Sequence, residues 1–288
     1  MDFSKILIPC SALPTIMAAS KENKGLTDKQ TEEYNKLLNK TDLTDKQRAT
    51  LEMYEERLQN KGSVNTISGS AISKLRDIYI RAKWGKEQVS VAKDYIPAAL
   101  NGTMSERNSI KLISDFDGIE YKLHKKLISN RYITGVLDCY LGKSAKKASK
   151  VIDVKTASSM HSLLSLVRDE EERSRYYWQI MGYLAITGAD TGEVCHCLVT
   201  YPERIINDEI NKFLNKVKGI GVPGEYIERE IHKIRSNMTF DEIPVSQRIV
   251  RFKVERDEDS IAKIYDRVKF CRKWLTEFDN SISNMNLR

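Results

Sequence analysis

Three residues in the middle of the chain have the types and spacing for phosphodiester chemistry: Asp138, Asp153 and Lys155. Side chains on a β-strand alternate between faces, so Asp153 and Lys155, two positions apart, emerge on the same side while Ile152 and Val154 point into the core. On the preceding strand, Asp138 ends the run Ile133-Thr134-Gly135-Val136-Leu137, and hairpin pairing can bring it beside Asp153. Two neighbouring carboxylates repel, and burial raises the cost of ionising them, which favours either a raised pKa or a bound cation. Hard oxygen ligands suit Mg²⁺ or Mn²⁺, an ion that polarises a phosphodiester and promotes ionisation of the attacking water. Lys155 can then position that water or offset charge building on the phosphate.

The elements that would hold these residues follow from local patterning. Tyr132 to Tyr140 and Val151 to Thr156 are rich in β-branched and apolar residues, and Leu141 to Lys150 between them has the Gly and Ser of a turn, which predicts a hairpin. Arg173 to Thr187 carries Tyr177, Ile180, Met181 and Leu184 at helical spacing and stops at Gly188, a suitable C-cap. Val194 to Val199 is the short apolar run of a central strand, and a further strand is predicted at Arg248 to Val254. Asn207 to Lys218, Glu225 to Arg235 and Asp257 to Phe278 read as helices. Gly219 to Gly224, GIGVPG, matches a dinucleotide-binding fingerprint in form only: it follows a helix and contains Pro223, so it reads as a helix-ending loop.

Upstream, the pentad LTDKQ occurs at Leu26 to Gln30 and again at Leu43 to Gln47. Thr27 with Gln30, and Thr44 with Gln47, each fit a capping box, and the apolar Leu37, Leu38, Leu51, Tyr54 and Leu58 give the stripe of a helical hairpin. A third helix is expected from Ser68 to about Trp84. The fold class is therefore α/β, divided into a helical region over 1–100, a core over 101–201 and a mostly helical extension over 202–288.

Forty-seven Lys and Arg against 40 Asp and Glu give a net charge of +7, which favours polyanionic partners without identifying one. The five cysteines lack paired CxxC spacing, which argues against a disulfide framework or a zinc ribbon and fits a reducing, cytoplasmic setting. Cys195-His196-Cys197 reads as buried strand residues rather than part of an iron-sulfur cluster, which needs four thiolates. Pro9 and Pro14 interrupt the apolar start, so no signal peptide is read there, and no stretch approaches the roughly 20 apolar residues of a membrane span.

With these motifs in hand, GVLD at Gly135 to Asp138 followed by IDVKT at Ile152 to Thr156 resembles the signature of PD-(D/E)XK nucleases, in particular the lambda exonuclease and RecB-type (YqaJ-like) branch. In YYWQIMGYLAITG, Gln179 and Tyr183 form the Q-x-x-x-Y motif of that branch, four apart on one helix face. NGTMSERNSIKL, Asn101 to Leu112, looks like its first motif. Leu137 replaces the proline that gives the signature its name.

The resemblance implies a restriction-endonuclease-like mixed sheet flanked by helices, with the N-terminal helical hairpin and C-terminal helices as additions. It implies a metal cradle of Glu106, Asp138, Asp153 and the Val154 carbonyl, with Lys155 completing the catalytic set and Gln179 and Tyr183 reaching DNA. Glu106, if it lies in a first helical turn, is also favourable through the helix dipole alone, and Glu120 is an alternative for its role. Lys143, Lys146 and Lys147 crowd the expected hairpin loop and read as phosphate contacts or as a solvated face. The implied activity is exonuclease action on duplex ends, 5′ to 3′, with a single-strand annealing protein as partner in phage-type recombination and ring-like homo-oligomers among relatives. The rivals are a nicking or structure-specific endonuclease using the same centre, and a DNA-binding module that retains the fold without turnover.

Overall fold

The structure is a computed structural model describing residues 2–18, 26–59, 67–86, 97–167 and 170–285. The chain divides into two compact units, Thr15–Tyr79 and the combination of Met1–Pro14 with Ile80–Arg288. Residues 1–14 and 80–100 of the expected helical region, and all of the expected 202–288 extension, group with the core residues in the larger unit.

In the Thr15–Tyr79 unit, α2 (Asp28–Leu38) and α3 (Asp45–Gln59) form the expected hairpin, and α4 (Gly69–Trp84) begins. Both capping boxes are present: Gln30 N–H donates to Thr27 Oγ1 and Gln47 N–H to Thr44 Oγ1, each at 3.4 Å, while each glutamine side chain returns to the threonine N–H. Tyr54, 4% exposed, seals the pair by edge-on contact with Tyr34 and a hydroxyl bond to Glu33.

The core unit is built on two sheets. The larger has strand order β2 (Lys122–Leu123), β5 (Cys139–Ser144), β6 (Lys147–Thr156), β7 (Thr191–Cys197) and β8 (Ile249–Glu255). All its pairings are antiparallel except β6 with β7, which are parallel. A parallel pair needs a long crossover, and the segment between β6 and β7 supplies one in α6 (Met160–Leu164) and α7 (Glu170–Thr187). The smaller sheet places β4 (Ile133–Gly135) between β1 (Ile8–Pro9) and β3 (Ile128–Ser129). The architecture is thus a mixed central sheet flanked by helices, as expected.

Strand β6 is buried on both faces, which its Val151, Ile152 and Val154 allow. Against one face lies α5 (Pro97–Asp117), whose Ile110 and Ile113 join Ile152, Val154 and the buried Cys139, Cys195 and Cys197 in an apolar cluster. Against the other lies α7, pressed so close that Gly182 has no room for a Cβ beside Leu13 and Cys10, nor Gly192 beside Ile180. Ile180, Met181 and Leu184 are fully buried, so α7 is a central helix rather than an amphipathic surface one. It ends at Gly188, with φ at +77°, as the glycine requires. The remaining helices are α8 (Glu203–Val217), α9 (Gly224–Met238) and α10 (Glu258–Met285). Gly219 and Gly221, in the loop after α8, adopt positive φ, the helix-ending role expected of GIGVPG.

One expected element is different. Tyr132 to Tyr140 is not a single strand: β4 ends at Gly135, and Val136, Leu137 and Asp138 carry the chain from the small sheet into β5 of the large one. Conversely, the expected loop Leu141 to Lys150 is mostly paired strand, turning only at Ala145 and Lys146. Alternation and β-branched content look the same in two short collinear strands as in one long strand; which partner each finds is a tertiary matter.

Candidate active site

Asp138 stands at the crossing between the two sheets. The β5–β6 ladder begins at Cys139 opposite Ile152, so continuing the antiparallel register sets Asp138 opposite Asp153. Beyond that rung Val154 has no β5 partner, and its N–H donates instead to Asp138 Oδ2 at 2.7 Å. A strand residue's N–H and C=O point to the same edge, so the Val154 carbonyl opens toward Asp138 as well. The Asp138 backbone is held from the other side, where its carbonyl accepts from His124 N–H at 3.1 Å.

Asp153 is 2% exposed and faces α7. Gln179 Nε2 donates to its Oδ1 at 2.9 Å and also reaches the Tyr183 hydroxyl at 3.1 Å. These two residues, expected to reach DNA, are 8% and 5% exposed and turn inward onto the Asp153 carboxyl group. The physical reason is the closeness of α7 to the sheet, which turns their shared helix face inward. Tyr183 fits because residue 135 is glycine, where a Cβ would lie 2.7 Å from its Cε1.

Lys155 Nζ lies 2.6 Å from Asp153 Oδ2. That oxygen nonetheless lacks a correctly directed hydrogen bond, so the contact is a close ion pair rather than an aligned bond. Two residues that sequence reasoning missed enclose the ammonium. Tyr176 places its ring 5.5 Å from Lys155 Nζ, and His196, opposite Lys155 in the β6–β7 register, packs edge-on against Tyr176. Helical spacing could have shown Tyr176, three residues before Gln179 on the same α7 face. Burial, and secondarily Lys155, push the His196 pKa down to about 4, so it is neutral near pH 7.

Glu106, on α5, acts on the aspartates through its charge and is not clustered with them as a three-ligand metal site. Ser109, one turn further along α5, has its hydroxyl 3.1 Å from that of Thr156 on β6, which fixes the helix against the strand. Glu106 pairs with Lys125, a residue no sequence signal marked, and its charge opposes ionisation of both Asp138 and Asp153. Because α5 starts at Pro97, Glu106 is mid-helix and a first-turn dipole role does not apply. Glu120 is exposed beyond the end of α5. The hairpin lysines are not near this centre: Lys143, Lys146 and Lys147 are exposed at the β5–β6 tip, and Lys143 lies four residues from Cys139, or about 13 Å of extended strand.

The electrostatics are those of an incomplete charge balance. Burial first, and Asp153 second, raise the Asp138 pKa to about 7 despite the Val154 N–H and Lys155. Burial also raises Asp153. At Lys155 burial acts downward, but the carboxylates outweigh it and keep the ammonium charged. Two buried carboxylates beside one ammonium, with an Asp153 oxygen that lacks a directed donor, have the chemistry of oxygen ligands to a divalent cation, although among the described residues no three His, Cys, Asp or Glu side chains are grouped closely enough to hold one. The thiols fit none of this, since Cys139, Cys195 and Cys197 lie on the opposite face of the sheet in the apolar cluster.

No protein-family model matches the chain, and no curated protein sequence is significantly similar to it. Solved structures are similar. A phage-related exonuclease from Haemophilus somnus 129PT superposes over 96% of this chain and 97% of its own, with a TM-score of 0.61 at 17% identity. An alkaline exonuclease from Laribacter hongkongensis covers 77% of this chain and 88% of its own, with a TM-score of 0.52 at 13% identity. The same enzyme in complex with dAMP gives a TM-score of 0.51 at 13% identity, over 76% and 87% of the two chains. The chain therefore has the fold of these exonucleases.

Proposed function

We propose that this chain is a metal-dependent DNA exonuclease, with Mg²⁺ or Mn²⁺ held by Glu106, Asp138, Asp153 and the Val154 carbonyl. The observation that carries the reading is the juxtaposition of Asp138 and Asp153 across the start of the β5–β6 ladder, with Lys155 on the Asp153 face. The fold shared with two exonucleases supports it, as does the Laribacter enzyme's complex with dAMP, a deoxynucleotide.

A divalent ion bound there would supply Lewis acidity toward a phosphodiester and lower the pKa of a bound water. The chain's own groups do the rest. Gln179, anchored by Tyr183, fixes the rotamer of Asp153. Lys155 holds a positive charge where an attacking water or a developing phosphate charge would sit. Tyr176 and neutral His196 flank the ammonium without adding charge, while the Lys155 side chain keeps one face, 33% of its surface, open to solvent.

By resemblance, the reaction runs 5′ to 3′ from a duplex end in the cytoplasm and leaves a single strand for an annealing protein in phage-type recombination, within a homo-oligomer that encircles DNA. None of the described helices is long and apolar enough to cross a membrane. The test compares an end-labelled linear duplex with a covalently closed circle, with and without Mg²⁺, using wild type and Asp153→Ala. Mg²⁺-dependent release of nucleotides from the linear substrate alone, lost in the variant, is expected. Nicking of the circle would favour the endonuclease reading, and binding without release would favour a DNA-binding module.

A further inference from the structure

An open pocket edged by basic side chains lies at the other end of β4. Helix α10 displays Lys269, Arg272, Lys273 and Thr276 at i, i+3, i+4 and i+7, a single helical face. That face is basic where it meets the segment before β4, and with Arg131, Tyr132 and Ser4 it lines a pocket. Tyr132 stacks on Tyr265 of α10 at 4.5 Å between ring centres. Around its ring stand Arg272 at 5.5 Å, Arg131 at 5.9 Å and Lys269 at 6.0 Å.

Arg272 is 9% exposed and rigidly held, its Nε donating to the Ile6 carbonyl at 2.9 Å and Nη2 to the Arg131 carbonyl at 2.8 Å. Carbonyl oxygens orient a guanidinium but do not neutralise it. Lys269 has Asp266 at 2.8 Å and Lys273 has Glu277 at 3.8 Å, both carboxylates exposed. Among the described residues neither Arg131 nor Arg272 has a carboxylate partner. Three cations thus converge on one tyrosine ring and Lys273 lines the same pocket; Arg131 and Arg272 are uncompensated, and mutual repulsion favours an anion between them. A planar guanidinium in fixed orientation is the donor geometry for phosphate oxygens.

We propose that this pocket binds a phosphate group. The source favoured by the nuclease reading, on which this part rests, is a backbone phosphodiester of the same duplex that enters the catalytic centre. Tyr132 precedes Asp138 by six residues, so the two sites are at most about 20 Å apart along the chain. That is about six base pairs, less than one duplex turn. The other source of the same chemistry is free phosphate or a mononucleotide.

Arg272 also ties the N-terminal segment to the start of β4, so its removal risks unfolding. The test therefore leaves it in place and uses the triple variant R131A/K269A/K273A, whose three side chains are exposed. A control, K212A/K216A/K233A, removes three exposed lysines from α8 and α9. Binding of a short linear duplex is measured in EDTA across a salt series, and thermal melts are run with and without inorganic phosphate. The expected result is a loss of duplex affinity of roughly tenfold and a salt slope shallower by about 1, beyond the control. Wild-type duplex affinity with loss of the phosphate-induced melting shift assigns the pocket to free phosphate or a mononucleotide. Both properties matching the control overturn the proposal. Wild-type protein that releases no nucleotides with Mg²⁺ would sink the nuclease reading separately, and the two titrations would still report on the pocket.

Discussion

At the residue scale the centre depends on two carboxylates that fold into a place where they resist ionisation. On the proposed mechanism Asp138→Asn and Asp153→Asn remove carboxylate charge without removing volume, so each is expected to abolish Mg²⁺-dependent hydrolysis while duplex binding in EDTA persists. Hydrolysis retained in either variant would remove that residue from the mechanism. Lys155→Ala is expected to lower kcat more than it changes KM, as for a group acting mainly in the transition state; an effect confined to KM would assign it to substrate binding. The acid pair also sets a pH dependence. Asp138 titrates at about 7 in the fold and near 3.9 when unfolded, so between those values the native state holds the extra proton. Its contribution to stability is complete below about pH 4 and is lost as pH rises toward 7. Metal-free melts of wild type should therefore fall relative to Asp138→Asn across that window, and added Mg²⁺ should raise the wild-type Tm more at pH 8 than at pH 5. Parallel curves for the two proteins would show that Asp138 is not held protonated.

At the scale of elements, the site is made by the close approach of α7 to the sheets. Gly135 permits it, since a Cβ there would meet Tyr183 at 2.7 Å and Cys10 Sγ at 3.3 Å. Gly135→Ala should cost about 1–3 kcal/mol in chemical denaturation, the usual range for overpacking. It should also lower kcat, because displacing Tyr183 loosens Gln179 and hence Asp153. A change under about 0.5 kcal/mol with normal turnover would mean that the Tyr183 ring yields freely. The β5–β6 hairpin shows the opposite relation, in which a well-formed element carries its lysines away from the chemistry. Those side chains are exposed at the hairpin tip, apart from the Asp138, Asp153 and Lys155 group.

At the scale of the core unit, the first fourteen residues act as a missing strand and plug. Ile8, Cys10, Ala12 and Leu13 are fully buried, β1 pairs with β4, and Leu13 and Cys10 fill the space that Gly182 leaves on α7. Ile8→Ala should cost about 2–5 kcal/mol, measured by denaturant unfolding. Deleting residues 2–14 should abolish cooperative unfolding altogether; a folded, active truncation would show that this segment is dispensable packing.

The sequence alone determined what is local. Helix caps at Thr27 and Thr44, the glycine stop at Gly188, the alternation that puts Asp153 and Lys155 on one face and the i, i+4 pairing of Gln179 with Tyr183 depend only on neighbours along the chain. The residue types of the proposed centre were legible for the same reason. Tertiary structure decided what depends on distant partners: that Tyr132 to Tyr140 splits between two sheets, that Gln179 and Tyr183 turn toward Asp153, and that Lys125, Tyr176 and His196 attend the site. Burial and facing are properties of packed surfaces, and a strand's pattern is the same whichever sheet it joins.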